Sequence, residues 1–378
     1  MGAFLDKPKT DIDINEGTLP DGKYCHCSMQ GWRTEMEDSY SVQIGLPGEL
    51  SKWSYFGIFD GHAGKQASLK CSKLLLDYII KTEEFIILSN SVAKHHDKEL
   101  ISKGIKKGFY TFDQALRKEI DDNSGSTATV AFVTPDQIIL ANCGDSRSII
   151  TFQGECVEST KDHKPHQEKE KERIINSGAQ VLIGRINGSL AVSRSLGDFD
   201  YKKNKDKGPE EQTVSCEPQI FFYECTLNDV DDLVLACDGI WDVFDNSQVA
   251  AFIHQRSKCL ETLPEILTEL FNLCLVKGSK DNMSVMVVRF RPTVSRMDPD
   301  IKRLDVELEQ KIKDLVHEFY DQDLENNFEN ILEKIQDLKL PNYPPGGGFC
   351  SKQHLIQTIF DEITKKRSSD VPPGASLK

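Results

Sequence analysis

Four aspartates lie at the ends of apolar, strand-like runs of the sequence. They are Asp60 in FGIFDGH, Asp145 in ILANCGDSR, Asp238 in DLVLACDG and Asp281 in KGSKDNMSV. A strand places its terminal residue at a fixed edge of a sheet, so acids at several strand ends can gather at one site. Mg²⁺ and Mn²⁺ prefer oxygen ligands and commonly bind carboxylates. The combination therefore predicts a metal site.

Each acid also has a structural explanation when it is considered alone. Asp60-Gly61 and Asp238-Gly239 match a dipeptide that is common in tight turns. Aspartate also caps helices, and helical patterns follow both of these sites. Asp145 would then lie in the link between two hairpin strands. It is the set of acids, rather than any single one, that favours metal binding.

A second group of residues would complete a site for phosphate ester hydrolysis. The segment QGWRTEMED contributes Arg33, Glu37 and Asp38, and His62 follows the first aspartate. Two divalent ions roughly 3.5–4 Å apart can share a water or hydroxide that is nucleophilic near neutral pH. Arginine binds phosphate oxygens bidentately, and histidine can protonate a leaving alkoxide. Together these residues predict a two-metal phosphoester hydrolase.

Short β-branched and aromatic runs, separated by longer helical segments, must position these residues. The predicted strands are 23–29, 39–45, 53–60, 127–134, 137–143, 147–152, 219–225, 231–237 and 283–290. The predicted helices are about 63–85, 98–121, 166–176, 246–257 and 261–277. Because several strands follow one another directly, we expect antiparallel hairpins. The predicted fold class is α+β, a β-sandwich of two antiparallel sheets flanked by helix pairs, with a C-terminal helical extension.

The two ends of the chain differ in character from this centre. Residues 1–20 are polar and rich in turn formers, and we expect a flexible N-terminal lead-in. Residues 21–292 would form the catalytic domain. Strand signals then stop, and residues 293–378 are predicted to form a helical C-terminal module with a disordered tail from 367 onward.

Charge and cysteine content argue against several classes of function. The 378-residue chain carries a net charge of −14, which disfavours binding to nucleic acid. It has no apolar run of membrane-spanning length and no signal-peptide core. Cys25 and Cys27 lack a second ligand pair at zinc spacing, so the 11 cysteines are interpreted as reduced thiols. We expect a monomer in the cytoplasm, with a nuclear location also open.

Eight segments resemble, in order, the motif set of the metal-dependent type 2C protein serine/threonine phosphatases. They are SMQGWRTEMEDSY, FGIFDGHAG, SGSTATVAFV, ANCGDSR, DHKP, GRINGSLAVSRSLGDFDYK, ACDGIWDV and SKDNMSVMVV. The opening MGAFLDKP and the helical tail resemble the animal alpha/beta branch of that family. The resemblance implies dephosphorylation of phosphoserine and phosphothreonine in signalling proteins, with two Mg²⁺ or Mn²⁺ ions as cofactors and phosphoproteins as partners.

The resemblance also implies which residues hold the ions. Asp60 would bridge both of them, and Asp238 and Asp281 would hold one. The Gly61 carbonyl and Glu37, acting through water, would serve the other.

Other site residues would act around this pair of ions. By the same resemblance, Arg33 would bind phosphate and His62 would be the general acid. Asp145 and Asp242 match positions associated with a weaker third metal, and Asp38 would orient metal-bound water.

Three further positions carry secondary expectations. Arg185 lies in 163–198, which matches the family's flap, and would contact substrate. Ser195 stands where alanine is common, a change that is not expected to affect the chemistry. Gly2 would give only weak, reversible membrane contact if myristoylated, and Asp6 departs from the consensus Ser or Thr.

Two other functions would use the same fold or chemistry. A pseudophosphatase should lack some metal ligands, whereas all the expected acids are present. Another two-metal hydrolase, for instance one that cuts phosphodiesters, would need a groove for its polymer or nucleotide. The acidic charge and the lack of basic or aromatic readout argue against nucleic acid as that substrate. The C-terminal module has no catalytic motif, and we expect it to bind partners or substrates.

Overall fold

The fold combines antiparallel strands with helices, as predicted. The computed structural model describes residues 4–94, 96–226, 229–260, 262–290, 297–322, 327–344 and 347–369. The strands are β1 Phe4–Leu19, β2 Gly22–Arg33, β3 Ser39–Ile44, β4 Ser54–Phe59, β5 Gly61–His62, β6 Gly125–Ser126, β7 Ala128–Val133, β8 Gln137–Cys143, β9 Arg147–Phe152, β10 Glu155–Ser159, β11 Val181–Leu182, β12 Arg185–Ile186, β13 Leu196–Gly197, β14 Gln219–Glu224, β15 Asp232–Ala236 and β16 Met283–Phe290. The helices are α1 Gln66–Ile80, α2 Glu83–Ser89, α3 Lys98–Glu119, α4 Glu168–Asn176, α5 Asp238–Trp241, α6 Asn246–Arg256, α7 Leu263–Val276, α8 Pro299–Gln322, α9 Phe328–Asp337 and α10 Gln353–Ser369.

The chain divides into two compact units. The first consists of residues 1–246 and 280–294, and the second of residues 247–279 and 295–378. The predicted catalytic domain, residues 21–292, includes helices α6 and α7. In the structure these two helices lie mainly in the second unit. Two predictions concern residues outside the described ranges. They are the acylation of Gly2 and most of the predicted disordered tail, residues 370–378.

Two antiparallel sheets form the centre of the first unit. The six-stranded sheet has the order β1-β2-β16-β15-β9-β10, and the five-stranded sheet has the order β14-β8-β7-β4-β3. One buried apolar cluster joins them, with Phe56 and Leu140 from the five-stranded sheet and Leu235 and Met286 from the six-stranded sheet. This sandwich confirms the predicted fold class.

Alternate residues of the central strands serve opposite faces of the five-stranded sheet. In β4, Phe56 and Ile58 belong to the cluster shared by the two sheets. Tyr55 and Phe59 belong instead to a cluster that includes residues of α1 and α3. Because both faces are covered, every residue of β4 is buried, and every residue after Ser54 is apolar.

The two edge strands of the six-stranded sheet were not predicted. Residues 1–20 were expected to be flexible, but Phe4–Leu19 form β1, which pairs with β2. Strand β10 pairs with β9 after a turn in which Gln153 and Gly154 have positive φ. Most residues of β1 are exposed, and none of the residues of β10 is fully buried. Edge strands without a covered face show little apolar alternation, which is the signal that sequence analysis uses.

The helix predicted over 63–85 is broken into α1 and α2. Thr82 adopts an extended conformation, with φ −67° and ψ 150°. Its hydroxyl accepts a hydrogen bond from Phe85 N at 3.3 Å and so caps α2. Threonine is a preferred N-cap residue, which accounts for the break.

The second unit is helical in its described part. On α8, Leu308, Ile312, Val316 and Tyr320 recur at every fourth position and are buried. They share one apolar cluster with residues of α9 and α10, such as Ile359. No described helix is long and apolar enough to cross a membrane.

An enclosed ion network links α6 and α7 to the later helices of this unit. Arg256, which is 1% exposed, donates to Glu269 at 2.6 Å and to Asp305 at 3.0 Å. Lys352 lies 2.9 Å from Asp305 and 2.6 Å from Glu309. These contacts help to explain why residues 247–279 group with the C-terminal helices.

Candidate active site

Strand ends of the first unit bring the predicted acids together. Asp60 follows β4, Asp145 lies between β8 and β9, Asp238 opens α5, and Asp281 precedes β16. Burial raises the pKa of Asp60 well above its usual value, and the charges of Asp238, Asp38, Asp281 and Asp145 raise it further. Together with Asp242, these aspartates form one electrostatically linked group, which we call the acid group.

Other members of the acid group oppose one another's ionisation in the same way. Burial, followed by the charges of Asp145, Asp281 and Asp242, raises the pKa of Asp238. Burial and Asp281 raise the pKa of Asp38 to about 7. Burial and Asp145 also raise the pKa of Asp242. Carboxylates arranged in this way need positive charge nearby if they are to be ionised together.

The donor atoms of the acid group suit hard cations. Asp38 Oδ1 is buried and has no hydrogen-bond partner among the described residues, whereas Oδ2 accepts from Ser284 Oγ at 2.7 Å. One oxygen of Asp38, one of Asp60 and Cys237 Sγ lie within 4.8 Å of one another. Burial raises the pKa of the Cys237 thiol, and hard divalent ions prefer oxygen to sulfur ligands. The carboxylate oxygens fit a divalent ion such as Mg²⁺ or Mn²⁺.

Asn282, which the sequence analysis did not identify, holds the loop after β2 beside this group. Its Nδ2 donates to Glu35 O at 3.0 Å, and its Oδ1 accepts from Glu37 N at 2.9 Å. Glu37 Oε1 in turn accepts from Gly64 N at 2.7 Å. A Cβ at Gly61 would collide with the Glu37 carbonyl oxygen, so glycine allows the two segments to approach closely.

Arg33 ends β2 and faces the acid group. Its Nη2 lies 2.5 Å from Asp281 Oδ2, and its side chain is 35% exposed. Burial alone would lower the pKa of the guanidinium, but Asp281, Asp238 and Asp60 raise it. Arg33 is therefore a permanent cation, partly open to solvent, that can contact an anionic oxygen.

Lys164 is a second cation of the site and was not assigned a role from the sequence. It forms an ion pair with Asp145, which is buried. Its charge also acts to lower the pKa of Asp238 and Asp242. Lys164 belongs to the DHKP motif, which was noted without a function. Its contact shows that Asp145 already has a partner in the protein.

His62 lies in β5, and its Nε2 is 2.7 Å from Asp198 Oδ2. Burial acts to lower the pKa of His62, but the charge and hydrogen bond of Asp198 raise it. His62 in turn lowers the pKa of Asp198 against the effect of burial. Asp198 also accepts from Ser195 Oγ at 2.5 Å. Asp198 and Ser195 were not predicted to belong to the site, although both lie in the motif GRINGSLAVSRSLGDFDYK.

Arg185 lies in an exposed hairpin formed by β11 and β12. Asn187 and Gly188 have positive φ and form the predicted turn. Arg185 Nη1 donates to Ser189 O at 2.7 Å, just after this turn. Its contact with substrate stays a prediction.

Comparison with known families decides the identity of the chain. The family model described as Protein phosphatase 2C matches residues 23–283. A second model, Protein serine/threonine phosphatase 2C, C-terminal domain, matches residues 284–361. The chain belongs to the protein phosphatase 2C family. It is accordingly a metal-dependent protein serine/threonine phosphatase.

Individual relatives agree with the resemblance to the alpha/beta branch. Protein phosphatase 1B of Rattus norvegicus is 40% identical over 384 residues, covering 99% of this chain and 98% of that protein. Protein phosphatase 1A of Bos taurus is 38% identical over 377 residues, covering 98% and 97%. A crystal structure of a Toxoplasma gondii phosphatase, 24% identical, covers 74% of this chain and 95% of that chain with a TM-score of 0.62. The last of these shows that the two chains share a fold.

Proposed function

We propose that this phosphatase 2C protein hydrolyses phosphoserine and phosphothreonine in proteins with two divalent cations, Mg²⁺ or Mn²⁺, held by the acid group. Asp60 would contact both ions, and Asp238 and Asp281 would hold one. The Gly61 carbonyl and Glu37, through water, would serve the other. The observation that carries the proposal is the convergence of carboxylates that raise one another's pKa. When bound, the ions would activate water and offset phosphoryl charge.

The remaining acids would act at the margin of this site. Asp38 has one oxygen bonded to Ser284, which leaves the other directed to a water or an ion. Asp145 and Asp242 would hold a weaker third ion. Because Lys164 already pairs with Asp145, a third ion would have to compete with this lysine.

Arg33 would orient the phosphate group. Its contact with Asp281 holds the guanidinium at the edge of the acid group, and its exposed fraction leaves N–H groups for phosphate oxygens. Arg185, on its exposed hairpin, would contact the protein substrate outside the phosphate site.

His62 would protonate the leaving serine or threonine oxygen. Since Nε2 is bonded to Asp198, Nδ1 is the atom that would carry the transferred proton. As the phosphorus–oxygen bond breaks, this proton moves to the leaving oxygen and the imidazole becomes neutral.

The catalytic residues and the helical unit would have separate tasks. All the proposed site residues lie in the first unit, within the predicted catalytic domain 21–292. The helices of the second unit would bind partners or substrates. We expect the protein to act as a monomer on phosphoproteins of the cytoplasm or nucleus.

The test is phosphate release from a phosphothreonine peptide with Mg²⁺ or Mn²⁺ and again with EDTA, for wild type and Asp238→Asn. The matched control is Asp77→Asn, an aspartate on α1 whose side chain is 51% exposed. We expect metal-dependent turnover in wild type and control and its loss in Asp238→Asn. Metal-dependent turnover that survives in Asp238→Asn would contradict the assigned ligand set.

A further inference from the structure

One carboxylate oxygen joins a buried serine to His62. Ser195 Oγ donates to Asp198 Oδ2 at 2.5 Å, and the same oxygen lies 2.7 Å from His62 Nε2. Ser195 is 0% exposed and Asp198 is 5% exposed. We propose that Ser195 is a positioning residue, which holds the Asp198 carboxylate in the rotamer that orients His62 toward the leaving group. This inference rests on the proposed general-acid role of His62.

The backbone around these side chains is already held in place by a small three-stranded sheet. Strand β6 pairs with β13, which precedes Asp198, and with β5, which carries His62. Asp198 N also donates to Ser124 O at 3.1 Å. A Cβ at Gly125 would collide with both Asp198 Oδ2 and His62 Nε2. The sheet thus brings the carboxylate and imidazole together, while the side-chain rotamer of Asp198 depends on its hydrogen bonds.

The backbone of Ser195 is held in place by two hydrogen bonds. Ser195 N donates to Ser215 O at 3.0 Å. Ser195 O accepts from Lys202 Nζ at 2.8 Å, and this lysine also donates to Asp113 at 2.9 and 3.0 Å. With its amide and carbonyl both bonded, Ser195 can hold the Asp198 oxygen at a defined position.

Alanine, which is common at this position in the family that the sequence resembles, could not make this contact. Asp198 would then keep its bond to His62 but lose the donor on the other side of Oδ2. The carboxylate would have more rotational freedom, and His62 Nδ1 would be aligned with the leaving oxygen less often. The hydroxyl should therefore matter most when the leaving group needs a proton.

The kinetic test compares Ser195→Ala and His62→Gln with wild type on a phosphothreonine peptide and on p-nitrophenyl phosphate. The matched control is Ser126→Ala, a serine of β6 that is also 0% exposed and whose Oγ donates to Thr127 O. For Ser195→Ala we expect kcat on the peptide to fall about fivefold, with KM and aryl phosphate turnover unchanged. Ser126→Ala should leave both substrates unaffected. Equal loss on both substrates in Ser195→Ala, or no loss on either, would overturn the positioning role.

A spectroscopic readout separates this inference from the general-acid proposal. In Mg²⁺-loaded protein with ¹⁵N-labelled histidine, the His62 Nε2–H resonance is assigned by its absence from His62→Gln. Because the shared Asp198 oxygen loses a donor, we expect this resonance to shift in Ser195→Ala but not in Ser126→Ala. If His62→Gln loses both substrates equally, the general-acid proposal fails, and the resonance alone decides whether Ser195 positions His62. An unchanged resonance in Ser195→Ala would overturn the inference.

Discussion

Asp305 of the second unit and Asp60 of the first lie in enclosed surroundings, yet their pKa values move in opposite directions. Burial acts to raise the pKa of Asp305, but its contacts with Arg256 and Lys352 lower it below the usual value. Around Asp60, burial and neighbouring carboxylates act together and raise the pKa. In the second unit the protein supplies the counter-charge from its own side chains. In the first unit much of the counter-charge must come from a ligand.

This difference separates a structural ion network from a binding site. A buried ion pair is costly to break, and an acid that already has its own cations offers little to an incoming ion. Acids that raise one another's pKa are a common feature of functional sites, because their arrangement is unfavourable until a ligand binds. Three consequences test the comparison by mutation, and one tests it by pH.

The largest expected effect is on catalysis by Asp60→Asn. Removing the carboxylate proposed to contact both ions should lower metal-dependent phosphate release on the order of 10³-fold. In EDTA, the same change should raise the melting temperature by about 3 °C, because it removes repulsion within the acid group. Phosphatase assays and thermal unfolding check the two effects. A lower melting temperature in EDTA would show that Asp60 contributes to the metal-free fold in the way Asp305 does.

Asp305→Asn should have the opposite effect. Its loss leaves Arg256 and Lys352, 1% and 4% exposed in their side chains, without the partner that they share. We expect the free energy of unfolding to fall by about 3 kcal/mol, with p-nitrophenyl phosphate turnover per folded molecule unchanged. Urea denaturation measures the first quantity. Loss of turnover from a folded variant would contradict the separation between the network and the site.

The pH dependence of stability should identify the contribution of Asp305. Because its folded pKa lies below 3.8, this contribution is fully present above pH 3.8 and is lost as the pH falls through the folded value. The difference in unfolding free energy between wild type and Asp305→Asn should therefore be constant from about pH 7 to about pH 5 and shrink below about pH 4. Urea denaturation across this range checks the sign. A difference that grows on acidification would be inconsistent with a lowered pKa.

The smallest expected effect concerns Lys164, a cation that the protein does supply to the acid group. Lys164→Met removes the charge that pairs with Asp145, so the apparent affinity for Mn²⁺ should rise about threefold. Mn²⁺ titrations of phosphatase activity and calorimetry measure the change. The control is Lys161→Met, which removes the same charge from an exposed residue nearby in the chain. Equal gains in the two variants would indicate a general effect of charge instead of competition at Asp145.

The parts of the fold that were predicted correctly are those with a local pattern. Central strands such as β4 and β8 are covered on both faces and are mostly apolar. The edge strands β1 and β10 have no such cover, and their polar sequences gave no strand signal. The break between α1 and α2 had a local signal in Thr82, but the apolar residues on either side of it favoured one continuous helix.

The candidate site shows the same division. The aspartates were found because each lies beside an apolar strand in the sequence. Asp198 was not, because nothing near it in the sequence indicates that its partner is His62, 136 residues away. Ser195 was noted only as a departure from alanine, and its contact with Asp198 became visible only in the folded chain.

The sequence was enough to predict the acids, the arginine and the histidine of the candidate site, the strands of the sandwich core and the family. It did so because these features depend on residue type and on near neighbours in the chain. Tertiary structure alone decided which charges meet. The two cations that pair with Asp305 come from α6 and from the segment before α10. In the acid group, Arg33 and Lys164 are the paired cations, and the carboxylates outnumber them. Charge compensation depends on distance and burial in three dimensions, which sequence spacing does not specify.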